Sequence, residues 1–229
     1  MSPVILRALA VGPLQATCYL VGCSRTRDAV VVDPGGNSAD ILEALRAEGL
    51  TARWIVATHG HPDHTGAVRE LQDATGARFA IHAEDRLWVD RLREASLRMG
   101  IPVSGVPTVD RELSDGDGIE TGDLRLRVLH TPGHTAGCVC LLVEAPRKDD
   151  SSGPIVLTGD TLFAGSIGRT DLPGGDGRKI LESIHKRLLV LPDGARVLPG
   201  HGPETTIGEE RRTNFFLSLA PARGRTETD

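Results

Sequence analysis

No apolar run in this 229-residue chain approaches the roughly 20 residues needed to cross a bilayer. The opening "MSPVILRALAVGPLQ" also lacks the charged start, apolar core and cleavage site of a secretory signal. A cytoplasmic location is therefore expected. Excess positive charge is missing as well: the net charge is -5, and the arginines are dispersed along the chain. That balance gives no electrostatic reason for a nucleic-acid or anionic-membrane partner, which leaves a small molecule as the expected one. Lysine is nearly absent, with 3 residues against 23 arginines, which reads as compositional bias. Cysteine is sparse, at Cys18, Cys23, Cys138 and Cys140. A chain of this length can bury a core that needs no disulfides, so reduced thiols are expected. Cys138 and Cys140 share one face of a strand in "GCVCLLV", whereas a metal or redox pair usually has two residues between its members.

What is present fits one domain over residues 1–229, with 219–229 as a flexible tail. Short β-rich runs bounded by glycine and proline open the chain: "VILRALAVG", "CYLVG" and "AVVVDPGG". A helical "SADILEALRAEG" follows, with Ser38 as its expected N-cap. Then come the strand "RWIVAT", the helical "GAVRELQDATG", the strand "RFAIH" and the amphipathic "AEDRLWVDRLREASLRMG", expected as one helix. The second half repeats this grammar without an identical repeat, and "EAPRKDDSSGP" reads as a surface turn between strands. Strands flanked by helices predict sheets faced by helices on their outer sides.

"ATHGHPDHTGA" concentrates His59, His61, Asp63 and His64 in one loop after a strand. Residues two apart in extended backbone aim the same way, so His59 and His61 point together, and Pro62 stiffens the turn that follows. Mixed imidazole and carboxylate donors suit zinc, iron or manganese better than calcium. One such loop can feed two adjacent metal sites, but it cannot close them. Three further candidates each end a β-rich run beside glycine: His134 in "HTPGHTAG", Asp160 in "LTGDTLF" and His201 in "LPGHGPE". Taken singly, each is an ordinary turn residue; their agreement with the first loop carries the inference. His82 and His185 read as surface or packing residues, with His82 able to cap a helix, and His130 as packing or as support to a ligand.

The order His59-x-His61-x-Asp63-His64, then His134, Asp160 and His201, resembles the metal-binding pattern of the metallo-β-lactamase superfamily, with "VVDPGG" and "TPGHTAGCVCL" as framework segments. The resemblance implies an αββα sandwich of two mixed β-sheets flanked by helices, with two divalent metals, zinc foremost and iron or manganese as alternatives. It implies that His59, His61 and His134 hold one metal, that Asp63, His64 and His201 hold the other, and that Asp160 bridges. "GDTLFAGSIGRTDLPGGD" and "LPGHGPETTIGEERRTN" resemble glyoxalase II-like hydrolases, which implies a thioester substrate of glutathione or a similar thiol, water activated between the metals, and Asp63 orienting it. Arg169, Arg211 and Arg212 are candidates for a substrate carboxylate, and Asp33 and Thr58 for support of the ligands. "GRTD" at 168–171 resembles persulfide dioxygenases instead, which makes a mononuclear iron oxygenase built on His59, His134 and Asp160 the main alternative. A lactonase is disfavoured because Tyr19, the only tyrosine, lies in an early strand. A non-enzymatic metal-binding protein is disfavoured because no ligand is missing.

Overall fold

The computed structural model describes residues 4–145 and 153–218. The middle of the turn expected in "EAPRKDDSSGP" and the tail expected over 219–229 lie outside the described residues. The first sheet is ordered β1 (Val4–Val11), β2 (Ala16–Cys23), β3 (Asp28–Val32), β4 (Thr51–Val56), β5 (Arg78–His82) and β6 (Arg111–Leu113). Its first three strands pair antiparallel and the rest parallel. Interleaved with these strands are α1 (Ser38–Ala47), α2 (Pro62–Thr65), α3 (Val68–Thr75), α4 (Arg86–Asp90) and α5 (Leu92–Met99).

The second sheet uses β7 (Gly118–Thr121), β8 (Leu124–His130), β9 (Val139–Glu144), β10 (Ile155–Gly159), β13 (Arg196–Pro199) and β14 (Thr205–Thr206), in the order β14-β13-β10-β9-β8-β7. Only its β10–β13 pair is parallel. A small hairpin, β11 (Leu162–Phe163) with β12 (Ser166–Ile167), precedes α6 (Gly177–Ser183); α7 (Ile207–Thr213) and α8 (Phe215–Ser218) follow β14.

Period-two alternation builds three apolar layers from these strands. Tyr19, Val21, Val30, Val32, Trp54 and Val56 of the first sheet meet Leu126, Val128, Leu141, Val143 and Leu157 of the second. The residues between them face outward. Leu20, Val31, Ile55, Phe79 and Ile81 lie under Ile41 and Leu45 of α1 and Val68 and Leu71 of α3. Leu129, Cys140, Leu142, Val156 and Val197 lie under Ile180 of α6, Ile184, Leu188 and Ile207 of α7. The result is helix, sheet, sheet, helix, as expected. All four cysteines are buried free thiols.

Two local expectations are corrected. The N-cap of α1 is Asn37, not Ser38; Asn37 has φ 53°, a left-handed conformation that asparagine tolerates, and Ser38 is the first helical residue. Asn37 Oδ1 accepts from the Gly12 N–H at 2.8 Å, which ties the helix start to the β1–β2 turn. The segment expected as one helix over 83–100 is broken: a tight turn at Ala83–Asp85 leads into α4, and Arg91 leaves helical geometry before α5.

Gly35, after β3, lies against the loop at 57–67 so closely that a Cβ there would fall 1.5 Å from the Asp63 carbonyl oxygen. Backbone cannot yield as a flexible side chain would. We expect Gly35→Ala to cost about 3 kcal/mol of stability through overpacking, measured by urea unfolding of the metal-free chain.

Candidate metal centre

His59 and His61 leave the end of β4, and Pro62 opens the one-turn α2 that carries Asp63 and His64. Proline suits that first position because its missing N–H has no helical partner to lose. The second sheet supplies His134 beyond β8, Asp160 at the end of β10 and His201 beyond β13. All seven side chains therefore sit past strand ends at one edge of the sandwich.

Nδ1 of His61 lies 3.1 Å from Nε2 of His59 and 3.0 Å from Nε2 of His134. Outer contacts set the tautomers of the two partners. His134 Nδ1 is 2.7 Å from the carbonyl oxygen of Arg169, which can only accept, so Nδ1 carries the proton and Nε2 a lone pair. Thr58 Oγ1 donates to Asp33 Oδ2 at 2.7 Å, so it accepts from His59 Nδ1 at 3.3 Å and leaves that Nε2 with a lone pair too. One His61 Nδ1–H cannot satisfy both. A cation among the three nitrogens does, since ligand nitrogens about 2.0–2.1 Å from one tetrahedral zinc stand about 3.3 Å apart. Burial and the neighbouring imidazoles push His59 and His61 below the ordinary histidine range, into the neutral form that binds metal.

Beside this trio, Asp63 Oδ2 is 3.3 Å from His201 Nε2 and 3.7 Å from His64 Nε2. Asp160 reaches both groups: Oδ1 is 3.4 Å from His64 Nε2, and Oδ2 is 3.6 Å from His134 Nε2 and 3.8 Å from His201 Nε2. It stands where a bridging carboxylate would. Among the described residues, seven buried side-chain polar atoms lack a hydrogen bond, and five are here: His61 Nε2, Asp63 Oδ1, both ring nitrogens of His64 and Asp160 Oδ1. Such a concentration in one spot fits residues built to meet cations.

Asp33 and Thr58, suggested as supports, both lie against this group of side chains. Asp33 has φ 54°, and its Oδ1 accepts from the Thr58 N–H at 2.7 Å. Its Oδ2 also lies 3.1 Å from His64 Nδ1, close enough for charge attraction though not aligned as a hydrogen bond. The arginines are placed differently. Arg169 is beside the centre through its carbonyl, but its guanidinium forms a two-bond pair with Asp171 and is largely exposed. Arg211 is engaged by the carbonyls of Leu189 and Leu191 and by Asp193, and Arg212 by Glu209 on its own helix, so neither joins the cluster. His130 Nε2 donates to the Ala136 carbonyl at 2.9 Å and so braces the His134 loop. His82 accepts from the Glu84 N–H, as a cap, and stacks on His130 with rings 11° apart. Parallel rings do not aim their lone pairs at one point, so His82, Glu84 and His130 do not make a second centre of this kind.

Two neighbours were not singled out in the sequence. Trp88 of α4 meets the His61 ring edge to face, with centroids 4.6 Å apart, and Phe163 meets His201 at 6.3 Å. Gly60 makes room for the first contact, because a Cβ there would fall 2.4 Å from Trp88 Cβ. The available signal was scarcity: two of the chain's seven aromatic side chains flank this centre.

Burial opposes charge on His64, yet the carboxylates of Asp160, Asp33 and Asp63 outweigh it and push its pKa up to about 10. A proton on His64 thus contributes stability to the metal-free fold below the unfolded-state value near 6.5, and that contribution is lost as pH rises through about 10. An ion bound through His64 would have to displace this proton. We expect metal affinity to rise with pH across that window and about one proton to be released by His64 at neutral pH, read by calorimetric titration in buffers of different ionisation enthalpy.

Residues 11–201 match the family model described as the metallo-beta-lactamase superfamily. The chain is 37% identical to the probable metallo-hydrolase YqgX of Bacillus subtilis, covering 93% of this chain and 97% of that one. It is 33% identical to the hydroxyacylglutathione hydrolase GloC of Haemophilus influenzae, covering 93% and 98%. Among solved structures it is similar to TTHA1623 in a di-iron-bound form, with a TM-score of 0.80, 37% identity and coverage of 92% and 100%. It is also similar to ETHE1 from Myxococcus xanthus, with a TM-score of 0.74, 30% identity and coverage of 92% and 83%. With two helix-faced mixed sheets and the His/Asp clusters at their common edge, the chain belongs to the metallo-beta-lactamase superfamily.

Proposed function

We propose that the chain is a binuclear metal-dependent hydrolase of small thioesters, acting on S-acyl derivatives of glutathione or a similar thiol in the cytoplasm. The observation that carries this reading is the pair of abutting ligand clusters with Asp160 between them. Likeness to GloC along nearly the whole of both chains supports the substrate class. His59, His61 and His134 would hold one ion, and Asp63, His64 and His201 the other. When bound, the ions would supply Lewis-acid activation of water and stabilisation of charge on the carbonyl oxygen. Zinc is the first assignment, and the di-iron form of TTHA1623 gives iron weight beside it.

The remaining chemistry belongs to the chain. Burial opposes ionisation of Asp63, but the bond from His201 and the charge on His64 hold its carboxyl well below the usual range. Its Oδ1 has no hydrogen-bond partner, so it is free to accept a hydrogen bond from the attacking water and to orient it. A thiol of ordinary pKa, about 8.5, leaves as thiolate without a strong general acid. Trp88 and Phe163 give the centre apolar walls beside His61 and His201, which suits the acyl and thioether part of such a substrate. Arg169 would meet a substrate carboxylate by exchanging its exposed partner Asp171.

A mononuclear iron oxygenase is the second reading, favoured by the "GRTD" loop that supplies the Arg169 carbonyl to His134. Metal content by elemental mass spectrometry, with thioester hydrolysis and oxygen uptake on the same protein, separates the two. We expect about two ions per chain and hydrolysis of S-lactoylglutathione or a related thioester. One iron per chain, with oxygen uptake on glutathione persulfide and no thioesterase activity, would overturn the proposal. His61→Ala and Asp160→Asn should each lower kcat/KM beyond the roughly 10–100-fold that loss of an outer partner costs.

A further inference from the structure

Asp85 closes the tight turn after β5 and is fully buried, yet it belongs to neither ligand cluster. Its Oδ2 accepts from the backbone N–H of Gly60 at 2.8 Å and from the hydroxyl of Thr135 at 2.7 Å. Its Oδ1 accepts from the backbone N–H of Gly137 at 2.7 Å. Gly60 is the residue between His59 and His61, and Thr135 follows His134. One carboxylate thus joins a loop of the first sheet to a loop of the second at the place where their three imidazoles meet. Both oxygens face donors, the bonding pattern of an ionised carboxylate. The other cluster is held differently: Asp63 and His64 ride on α2 beside Asp33, and His201 follows β13.

We infer that Asp85 is a positioning residue that sets the separation of the His59–His61 pair from His134, and so the affinity of the three-histidine cluster for its ion. The inference rests on the metal-centre reading above. It assigns Asp85 no contact with substrate. An amide cannot replace the carboxylate, because whichever way it turns, its NH₂ faces a backbone N–H of Gly60 or Gly137 and strands that donor in the interior. Both ligand loops would then relax apart while the neighbouring cluster keeps its supports.

Full-length wild type, Asp85→Asn, Thr135→Val, Thr135→Ser and the core control Leu45→Ala are titrated with Co²⁺. Site affinities come from chelator competition, and site geometry from ligand-field absorption. Asp85→Asn should weaken one site about 10–100-fold and leave the other unchanged. Thr135→Val should move the same site by less, and Thr135→Ser, which keeps the hydroxyl, should restore it. Leu45→Ala should lower Tm without moving either affinity, since Leu45 packs in the outer helix layer beside Leu50, before β4 begins and so at the far end of that strand from His59. Equal affinities in Asp85→Asn and wild type, equal weakening of both sites, or selective weakening in Leu45→Ala would each overturn the inference. Should Asp85→Asn fail to fold, identical affinities in Thr135→Val and Thr135→Ser would overturn it instead. A wild-type chain that takes up no Co²⁺ would overturn the metal-centre reading itself.

Discussion

One nitrogen of His61 stands 3.1 and 3.0 Å from nitrogens of His59 and His134 that, in neutral rings, are both committed to lone pairs by their outer hydrogen bonds, and a single proton on it cannot serve the two. That constraint governs the edge of the sandwich where they meet. Buried donors and acceptors normally find partners in the fold itself. Here the partners are missing at adjoining points, and carboxylates crowd a histidine they hold charged. Positive charge is what the arrangement lacks, and the fold supplies it only in part, through the proton on His64.

Keeping such groups together requires a scaffold that does not yield. Strands buried on both faces provide it, because each is gripped by the inter-sheet core on one side and by helices on the other. Loops leaving their ends inherit that rigidity and add their own anchors. Asp33 holds Thr58 and lies beside His64, the Arg169 carbonyl holds His134, and Asp85 spans between the sheets. Each anchor bonds to atoms within one residue of a ligand, where a displacement would be passed on directly.

The cluster of candidate ligands was legible in the sequence because its members crowd one loop and then recur past the ends of three later β-rich runs. The layering was legible because every strand alternates, with Leu20 and Val21 already belonging to opposite layers. Contacts between distant segments were not. Asp85 lies 50 residues from Thr135 with no spacing rule connecting them, and Trp88 in "DRLWVD" reads like any core residue of an amphipathic helix. Arg211 shows the converse, for nearness to His201 in sequence says nothing of which way α7 turns its side chains. That arginine fastens the helix to the turn at 189–193. Ser38 was passed over as cap because Asn37 can adopt a left-handed backbone and bond to Gly12, a preference that no local pattern announces.

The two clusters also differ in when they can exist. During synthesis the first set of imidazoles is complete once His134 and the strands around it have emerged, whereas the second waits for His201, close behind the last long strand of its sheet. A truncated or half-folded chain would therefore present one binding centre with its neighbour absent. Occupancy of both clusters would record that both sheets have been finished and brought edge to edge, a checkpoint on the integrity of the sandwich.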